Sequence, residues 1–440
     1  MAEDIVKVGL LGCGHVGSAL VRLIAEHQDS IEARTGVRLA ITRVAVRNLA
    51  LERDVPLPAS VFTNDGAQLV GDPDVDIVVE LIGGIEPARE LILEALKTGR
   101  PVVTANKELI ANVGRELFEA AEGAGVDLLF EASVAGGVPL IRPLRESLAG
   151  DRIRRVMGIV NGTTNYILTR MTESGASFSD ALAEAQSLGY AERDPTADIE
   201  GYDAAAKAAI IAGIAFGARV VAGDVYREGI SDLTDADIAS ATELGYVVKL
   251  LAVAEEGPAG VAVRVHPTMV PRKHPLASVR ESFNAVFIEA DAVGELMLYG
   301  RGAGGGPTAS AVLGDLIDAA KNLASGARGA TIGTLARKPI VPIDEVRSQF
   351  YLALEAADRP GVLASIAEQF GAHGVSIKSM QQVGLDADGV TQRSTSDGAR
   401  LIFVTHLARE ADLRATVHAL RDVEAVKRVG SVLRVLGDES

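Results

Sequence analysis

Residue types able to do acid–base chemistry concentrate in GYAERDPTADIEGYDAAAK (residues 189–207), which carries Glu192, Asp194, Asp198, Asp203 and Lys207. Asp203 and Lys207 stand four residues apart, a spacing that puts a carboxylate and an ammonium on one face of a helix. On most helices such a pair is surface decoration. Lys207, however, lies among Ala and Ile, where a solvated face would carry more charge, and a lysine in an apolar wall can serve in proton transfer. Lys107, in VVTANKELI, is a second cation of interest. It follows a β-rich run whose carboxyl end is where open α/β sheets collect ligands, although a lone lysine there is usually only solvated.

The elements that would position these groups begin with GLLGCGHVGSAL (residues 9–20), where Gly12, Gly14 and Gly17 keep the G-x-G-x-x-G spacing after an apolar run. The first glycine permits a tight turn, the second lets backbone approach a pyrophosphate, and the third lets helix and strand pack closely. Alone the motif is weak, and a Gly-rich turn in an ordinary sheet would also carry it; its place at the first strand-to-helix junction favours a dinucleotide. Cys13 and His15 in the loop have no evident catalytic partner. The second β-rich run ends in ITRVAVRNLA, with Arg47 and no nearby carboxylate to grip a ribose hydroxyl. That favours NADP over NAD, unless Arg47 is merely a solvated loop cation.

From Ile5 to about Leu140, β-rich runs alternate with helical patterns, the signature of a parallel sheet covered on both faces. Residues 142–299 read as a mixed α+β domain with Ala-rich helices. YGRGAGGGPTASAV is a second Gly-rich loop opening a helix, and an extended linker follows near residue 340. Beyond it, strand–helix–strand occurs twice, the ferredoxin-like pattern, with DADGVTQRSTSDG as a polar hairpin loop.

The chain's 440 residues point to two or three domains, and 48% hydrophobic with 23% charged residues points to a packed globular protein. A formal charge of -16 without a Lys/Arg cluster argues against a nucleic-acid partner. The single cysteine excludes an intramolecular disulfide, and no Cys/His spacing suggests zinc. With neither a signal-peptide pattern nor an apolar run of spanning length, a cytoplasmic location without membrane contact is expected.

GLLGCGHVGSAL, TANKELI, FEASVAGGVPLI, NGTTNYIL, GYAERDPTADIEGYDAAAK and YGRGAGGGPTA stand in the order found in homoserine dehydrogenases, so residues 5 to about 325 resemble that family closely. LALEAADRPGVLASIAEQFGAHGVSIKSM resembles an ACT domain, and with no aspartate kinase region before Met1 the whole resembles the monofunctional form. The resemblance implies an α/β protein with a Rossmann-type nucleotide-binding domain (1–140, completed by about 300–325), a catalytic and dimerisation domain (141–300), a linker (326–345) and a ferredoxin-like ACT domain (346–440). It implies reversible NAD(P)H-dependent reduction of L-aspartate 4-semialdehyde to L-homoserine, on the route to threonine and methionine.

By the same resemblance Lys207 is the general acid/base, Lys107 the second active-site lysine, near both cofactor and substrate, and Asp203 a carboxylate that helps bind and orient. Glu192 and Asp198 would hold the substrate's amino group, with Gly162, Thr163 and Tyr190 also in the substrate site. The expected cofactor set is Gly12, Gly14, His15, Val16, Gly17, Arg47, Gly83, Ala105, Lys107 and Gly304. Glu131, Val134, Gly136 and Val138 would bind a monovalent cation, usually sodium, mainly through backbone oxygens. Threonine is the expected effector of the ACT domain, which could instead be a ligand-free dimerisation module, and a homodimer or homotetramer is expected. The rival readings are another NAD(P)-dependent aldehyde or hydroxy-acid dehydrogenase and a non-catalytic nucleotide sensor; the acidic run from Glu192 to Lys207 argues against the sensor.

Overall fold

The computed structural model describes residues 5–333, 335–385 and 398–437. Strand and helix alternate through β1 (Ile5–Leu11), α1 (His15–Thr35), β2 (Arg38–Ala45), β3 (Phe62–Thr63), α2 (Gly66–Gly71), β4 (Ile77–Glu80), α3 (Ala88–Lys97), β5 (Val102–Thr104), α4 (Lys107–Ala124) and β6 (Leu128–Leu129). The six strands are parallel in the order β3-β2-β1-β4-β5-β6. Every residue of β4 and β5 is buried, which is why these strands run apolar rather than alternating up to their last residues, Glu80 and Thr104. The strand order reverses between β1 and β4, the switch point at whose carboxyl end such Rossmann-type sheets bind ligands.

The middle of the chain contains β7 (Ile153–Ile159), α5 (Gly162–Ser174), α6 (Phe178–Ser187), α7 (Thr196–Ile199), α8 (Tyr202–Phe216), β8 (Tyr226–Arg227), α9 (Asp235–Glu243), β9 (Tyr246–Gly257), β10 (Gly260–Pro271), β11 (Phe283–Ala290), β12 (Gly294–Arg301) and α10 (Gly305–Ser325). Alanines make α8 slim enough to pack against α4 as well as against β9 and β10. Helix α10 returns to the first sheet. It lies along α1 and buries Ala309, Val312, Leu316, Ala319 and Ala320 in one cluster with Leu20, Val21 and Ile24.

The C-terminal elements are β13 (Arg347–Ala356), α11 (Val362–Ala372), β14 (Ile377–Leu385), β15 (Gly398–Thr405), β16 (Ala408–Arg409), α12 (Glu410–Arg421) and β17 (Val426–Val435). Their sheet order is β17-β13-β15-β14. Alternation along β13 serves two cores: Phe350, Leu352 and Leu354 pack with Ile366, Phe370 and Leu413 of the two helices, whereas Tyr351 and Ala353 belong to the core of the middle region. The polar loop expected at 386–398 lies outside the described residues except for Gly398.

A local reading of the sequence sets the C-terminal unit apart, but its sheet is continuous with the middle one. β17 pairs in parallel with β10 through Thr268↔Arg434 and Met269↔Val435. Since β9 occupies one edge of β10 along its length, the other edge is shared by three segments: β17, β8 at Arg264 and Val265, and Ile340 at Val261. The connecting segment is likewise fastened, with Lys338 Nζ 2.6 Å from both a Glu256 carboxylate oxygen and the Phe216 carbonyl oxygen.

Candidate active site

Lys107 opens α4, and the turn before it is fixed by buried polar groups. The Glu80 carboxylate accepts hydrogen bonds from the amides of Ile82 (2.8 Å) and Gly83 (3.0 Å) and from the Thr104 hydroxyl (2.6 Å). Thr104 Oγ1 accepts from the Asn106 amide at 3.0 Å. The Asn106 side chain caps α4 by accepting from the Leu109 amide at 3.1 Å, and its Nδ2 donates to the Gly84 carbonyl at 2.6 Å. The carboxyl ends of β4 and β5 are thus tied to the loop that carries Gly83 (φ +73°), and the first residue of α4 is aimed from that knot.

Packing of α8 against α4 brings Asp203 to Lys107. Lys107 Nζ is 2.5 Å from one Asp203 oxygen, while Lys207 Nζ donates to the other at 2.7 Å and to the Val160 carbonyl at 2.7 Å. Asn161, which caps α5, donates through Nδ2 to Asp203 (2.9 Å) and to Asp198 (2.6 Å). Side-chain exposure is 6% for Asp203, 12% for Lys207 and 39% for Lys107, so Lys107 is the most exposed member of the trio. Burial works against the charge on Asp203, but the ammonium groups of Lys207 and Lys107 outweigh it and hold its carboxyl far below the usual carboxylate range. Burial also opposes the ammonium of Lys107, and Asp203 overcomes it, leaving Lys107 above the ordinary lysine value.

The remaining expected substrate residues divide. Asp198 joins the cluster through Asn161, and Thr163 Oγ1 donates to the Tyr190 carbonyl at 2.7 Å. The Tyr190 ring lies 5.0 Å from that of Tyr166. Gly162 is needed for close approach, because a Cβ there would come within 2.7 Å of the Ser282 carbonyl oxygen. Glu192 is exposed, with its backbone carbonyl accepting from Gln186 at 3.0 Å; the hydrogen bonds of the cluster do not include its carboxylate.

In the glycine loop, Gly12 has φ +97°, and a Cβ there would lie 2.7 Å from the Leu81 carbonyl oxygen. A Cβ on Gly17 would meet the Gly12 oxygen at 2.5 Å, whereas Gly14 faces open space. His15 and Val16 begin α1, whose N-terminus has no side-chain cap and so presents backbone amides to an anion. Gly304 (φ +112°) caps α10, and a Cβ on the following Gly305 would sit 3.1 Å from the His15 oxygen, so the two Gly-rich loops adjoin. Ala105 lies between Thr104 and Asn106 at the end of β5, and Arg47 is exposed just past β2. Cys13 is buried, its sulfur 3.5 Å from the Ser18 hydroxyl, a packing position.

The expected cation residues form a tight turn. The Glu131 carboxylate accepts from the amides of Leu140, Ile141 and Arg142 at 2.5, 2.8 and 2.8 Å. Val134, Gly136 and Val138 are buried, and among the described residues no backbone hydrogen bond reaches their carbonyl oxygens. No group of three or more His, Cys, Asp or Glu suited to a metal occurs among the described residues.

Two family models match the sequence. One described as the NAD binding domain of homoserine dehydrogenase matches residues 12–131, and one described as homoserine dehydrogenase matches residues 139–317. Homoserine dehydrogenase of Mycobacterium tuberculosis is 51% identical over 99% of this chain and 98% of its own. The chain belongs to the homoserine dehydrogenases. Members of that family are NAD(P)-dependent oxidoreductases acting on a CH–OH group, with homoserine and aspartate semialdehyde as substrates. The Corynebacterium glutamicum homoserine dehydrogenase is 50% identical, over 98% of this chain and 96% of its own. The crystal structure of a homoserine dehydrogenase from Thiobacillus denitrificans superposes with a TM-score of 0.90 at 42% identity, covering 98% of each chain. A hyperthermophilic archaeal homoserine dehydrogenase solved with NADPH has a TM-score of 0.61 at 32% identity, covering 72% of this chain and 97% of that one. No helix among the described residues is long and apolar enough to cross a membrane.

Reasoning from the sequence passed over Asn161, Glu80, Thr104 and Asn106. Two of them had a readable signal, since Asn161 and Asn106 each precede a helix at a position where asparagine is a preferred cap.

Proposed function

We propose that this chain interconverts L-aspartate 4-semialdehyde and L-homoserine at the Lys107–Asp203–Lys207 centre, with NADP(H) as the preferred cofactor. The observation that carries this is a single buried carboxylate shared by two lysines next to the carboxyl ends of the nucleotide-binding strands. The cradle fits a dinucleotide, since side chains at Gly12 or Gly17 would strike backbone while Gly14 leaves an open approach. When bound, the cofactor supplies or accepts the hydride.

The protein's own groups manage proton and charge. Reducing an aldehyde leaves a developing alkoxide, which needs a proton and a nearby positive charge. Lys207, with two of its three N–H groups engaged, is the proton donor and acceptor, and the more exposed Lys107 steadies the oxyanion. Asp203 holds both ammonium groups in place. Asp198 and Glu192 take the substrate's amino group, with Gly162, Thr163 and Tyr190 forming the neighbouring wall. Arg47, in place of a carboxylate after β2, favours the additional phosphate of NADP, and the solved NADPH complex of an archaeal relative supports that choice.

Glu131, Val134, Gly136 and Val138 suit a hard monovalent cation such as sodium, because the carbonyl oxygens of the buried residues Val134, Gly136 and Val138 accept no backbone hydrogen bond among the described residues and hard cations prefer oxygen ligands. Strand order and helix placement in the C-terminal unit support an ACT domain that senses threonine beside Asp358–Leu363. Assays of homoserine oxidation with NADP and with NAD test the activity, and turnover with NADP in excess of NAD is expected. Absence of homoserine turnover with either cofactor would overturn the reading. For the regulatory part, millimolar threonine should change activity or melting temperature; if it changes neither, the sensing role is rejected.

A further inference from the structure

On β17, far along the chain from the acid–base cluster, Arg434 is only 6% exposed and makes four charge-assisted hydrogen bonds. Two go to Glu410, which opens α12 (2.6 and 2.8 Å), and two go to Glu228, just after β8 (2.6 and 2.9 Å). Glu228 also accepts from the Tyr226 hydroxyl, and its amide donates to the Val265 carbonyl of β10 at 2.8 Å. Glu410 is fixed on its own side, its amide donating to the Val346 carbonyl at 2.9 Å.

Residues 228–230 lie directly on the segment that carries Asp198. The Ile230 amide donates to the Ile199 carbonyl at 2.8 Å. A Cβ on Gly229 would come within 2.5 Å of the Ile199 carbonyl oxygen and 2.8 Å of Glu200 Cα, so backbone touches backbone there. Glu200 in turn accepts from the Ser231 hydroxyl. Ile199 is the residue after Asp198, whose carboxylate shares Asn161 with Asp203.

We propose that Arg434 is a positioning residue for the substrate site: by clamping Glu228 it presses the 228–230 strap onto Ile199 and fixes where Asp198 meets the substrate's amino group. The C-terminal unit thereby contributes to homoserine affinity without touching substrate. This rests on the assignment of Asp198 to the amino group made above.

The test compares steady-state kinetics and melting temperature of full-length Arg434→Gln, Glu228→Gln, the double variant and Gly229→Ala. The first two loosen the clamp; the last displaces Ile199 while leaving the ion pairs untouched. Each single variant should raise KM for homoserine by about three- to tenfold, the range for residues that act through a packed network, with kcat and KM for NADP changed less than twofold. The double variant should resemble the single clamp variants rather than multiply their effects. A lower melting temperature with unchanged KM for homoserine, or equal rises in both KM values, overturns the proposal by showing a merely structural clamp. Should Arg434→Gln fail to fold, Gly229→Ala and Glu228→Gln decide by the same criteria. Asp198→Asn checks the underlying assignment separately. An unmoved KM there overturns Asp198's part in binding, whereas a raised KM there and unmoved values in the strap and clamp variants overturn Arg434 alone.

Discussion

Asp203 is a carboxylate held between two ammonium groups, and Arg434 is a guanidinium held between two carboxylates. The central charge is buried in both clusters, and in both the outer charges outnumber it by one. They differ in how completely the outer groups are used. Around Arg434, two carboxylates are gripped in paired hydrogen bonds, that of Glu410 with a side chain 6% exposed and that of Glu228 with one 35% exposed. Around Asp203, Lys107 has a single carboxylate contact and a side chain 39% exposed. A saturated cluster fastens two parts of a protein, whereas an unsaturated one keeps charge available to a reacting molecule.

The largest expected departure between the clusters is in chemistry. Lys207→Ala should lower homoserine turnover by roughly 100-fold or more, as loss of a general acid/base does. Retention of near-normal kcat would remove Lys207 from the mechanism. The opposite signature belongs to Glu410→Gln, which keeps volume and drops one charge: a loss of about 1–3 kcal/mol in urea denaturation with kcat preserved. A large fall in kcat from this variant would mean that the fastening cluster reaches the reacting atoms.

Acid titration sharpens the comparison further. The folded Asp203 carboxyl sits far below its unfolded value, near 4, so its contribution is fully present above about pH 4 and is lost as pH falls toward the folded value. Burial works against the charge on Glu228, but its hydrogen bonds from Arg434 prevail and lower it as well, giving a loss of the same sign. Denaturation midpoints followed from pH 6 down to pH 3 should therefore decline less steeply in Asp203→Asn than in the parent, and an identical slope would contradict the lowered carboxyl. The smallest effect is expected from Arg47→Ala, which should raise KM for NADP by about tenfold or less, the worth of one charge-assisted contact, and leave NAD unaffected. Equal weakening of both cofactors would make Arg47 a bystander.

How much of this was legible depended on the range of the signal. Gly12 and Gly17 are readable because the demand on them is local: a turn with positive φ and a helix packed against its own preceding loop. Asp203 and Lys207 are readable because one helical turn separates them. Their meeting with Lys107 is not, since it depends on α4 packing against α8, and spacing carries no information across such a distance. Glu80 was hidden at the end of an apolar strand, where a carboxylate has meaning only once the amides of Ile82 and Gly83 fold back onto it. The apolar run of β13 announced a strand, yet nothing local separated Tyr351 and Ala353, which belong to one core, from Leu352 and Leu354, which belong to another. Only the family resemblance pointed to Val134, Gly136 and Val138, because backbone oxygens leave no compositional trace.

The shared edge of β10 has a consequence for any shortened form of the protein. Cut before β13, the chain would retain Ile340 and β8 against that strand but lose β17, exposing backbone donors and acceptors beside Thr268 and Met269. Apolar side chains now covered by Tyr351, Val404 and Leu433 would be uncovered at the same time. Such a strip of unpaired β-edge is a template for another copy of itself. The C-terminal unit thus covers that stretch of edge, and light scattering of the truncated chain is expected to register its removal as aggregation.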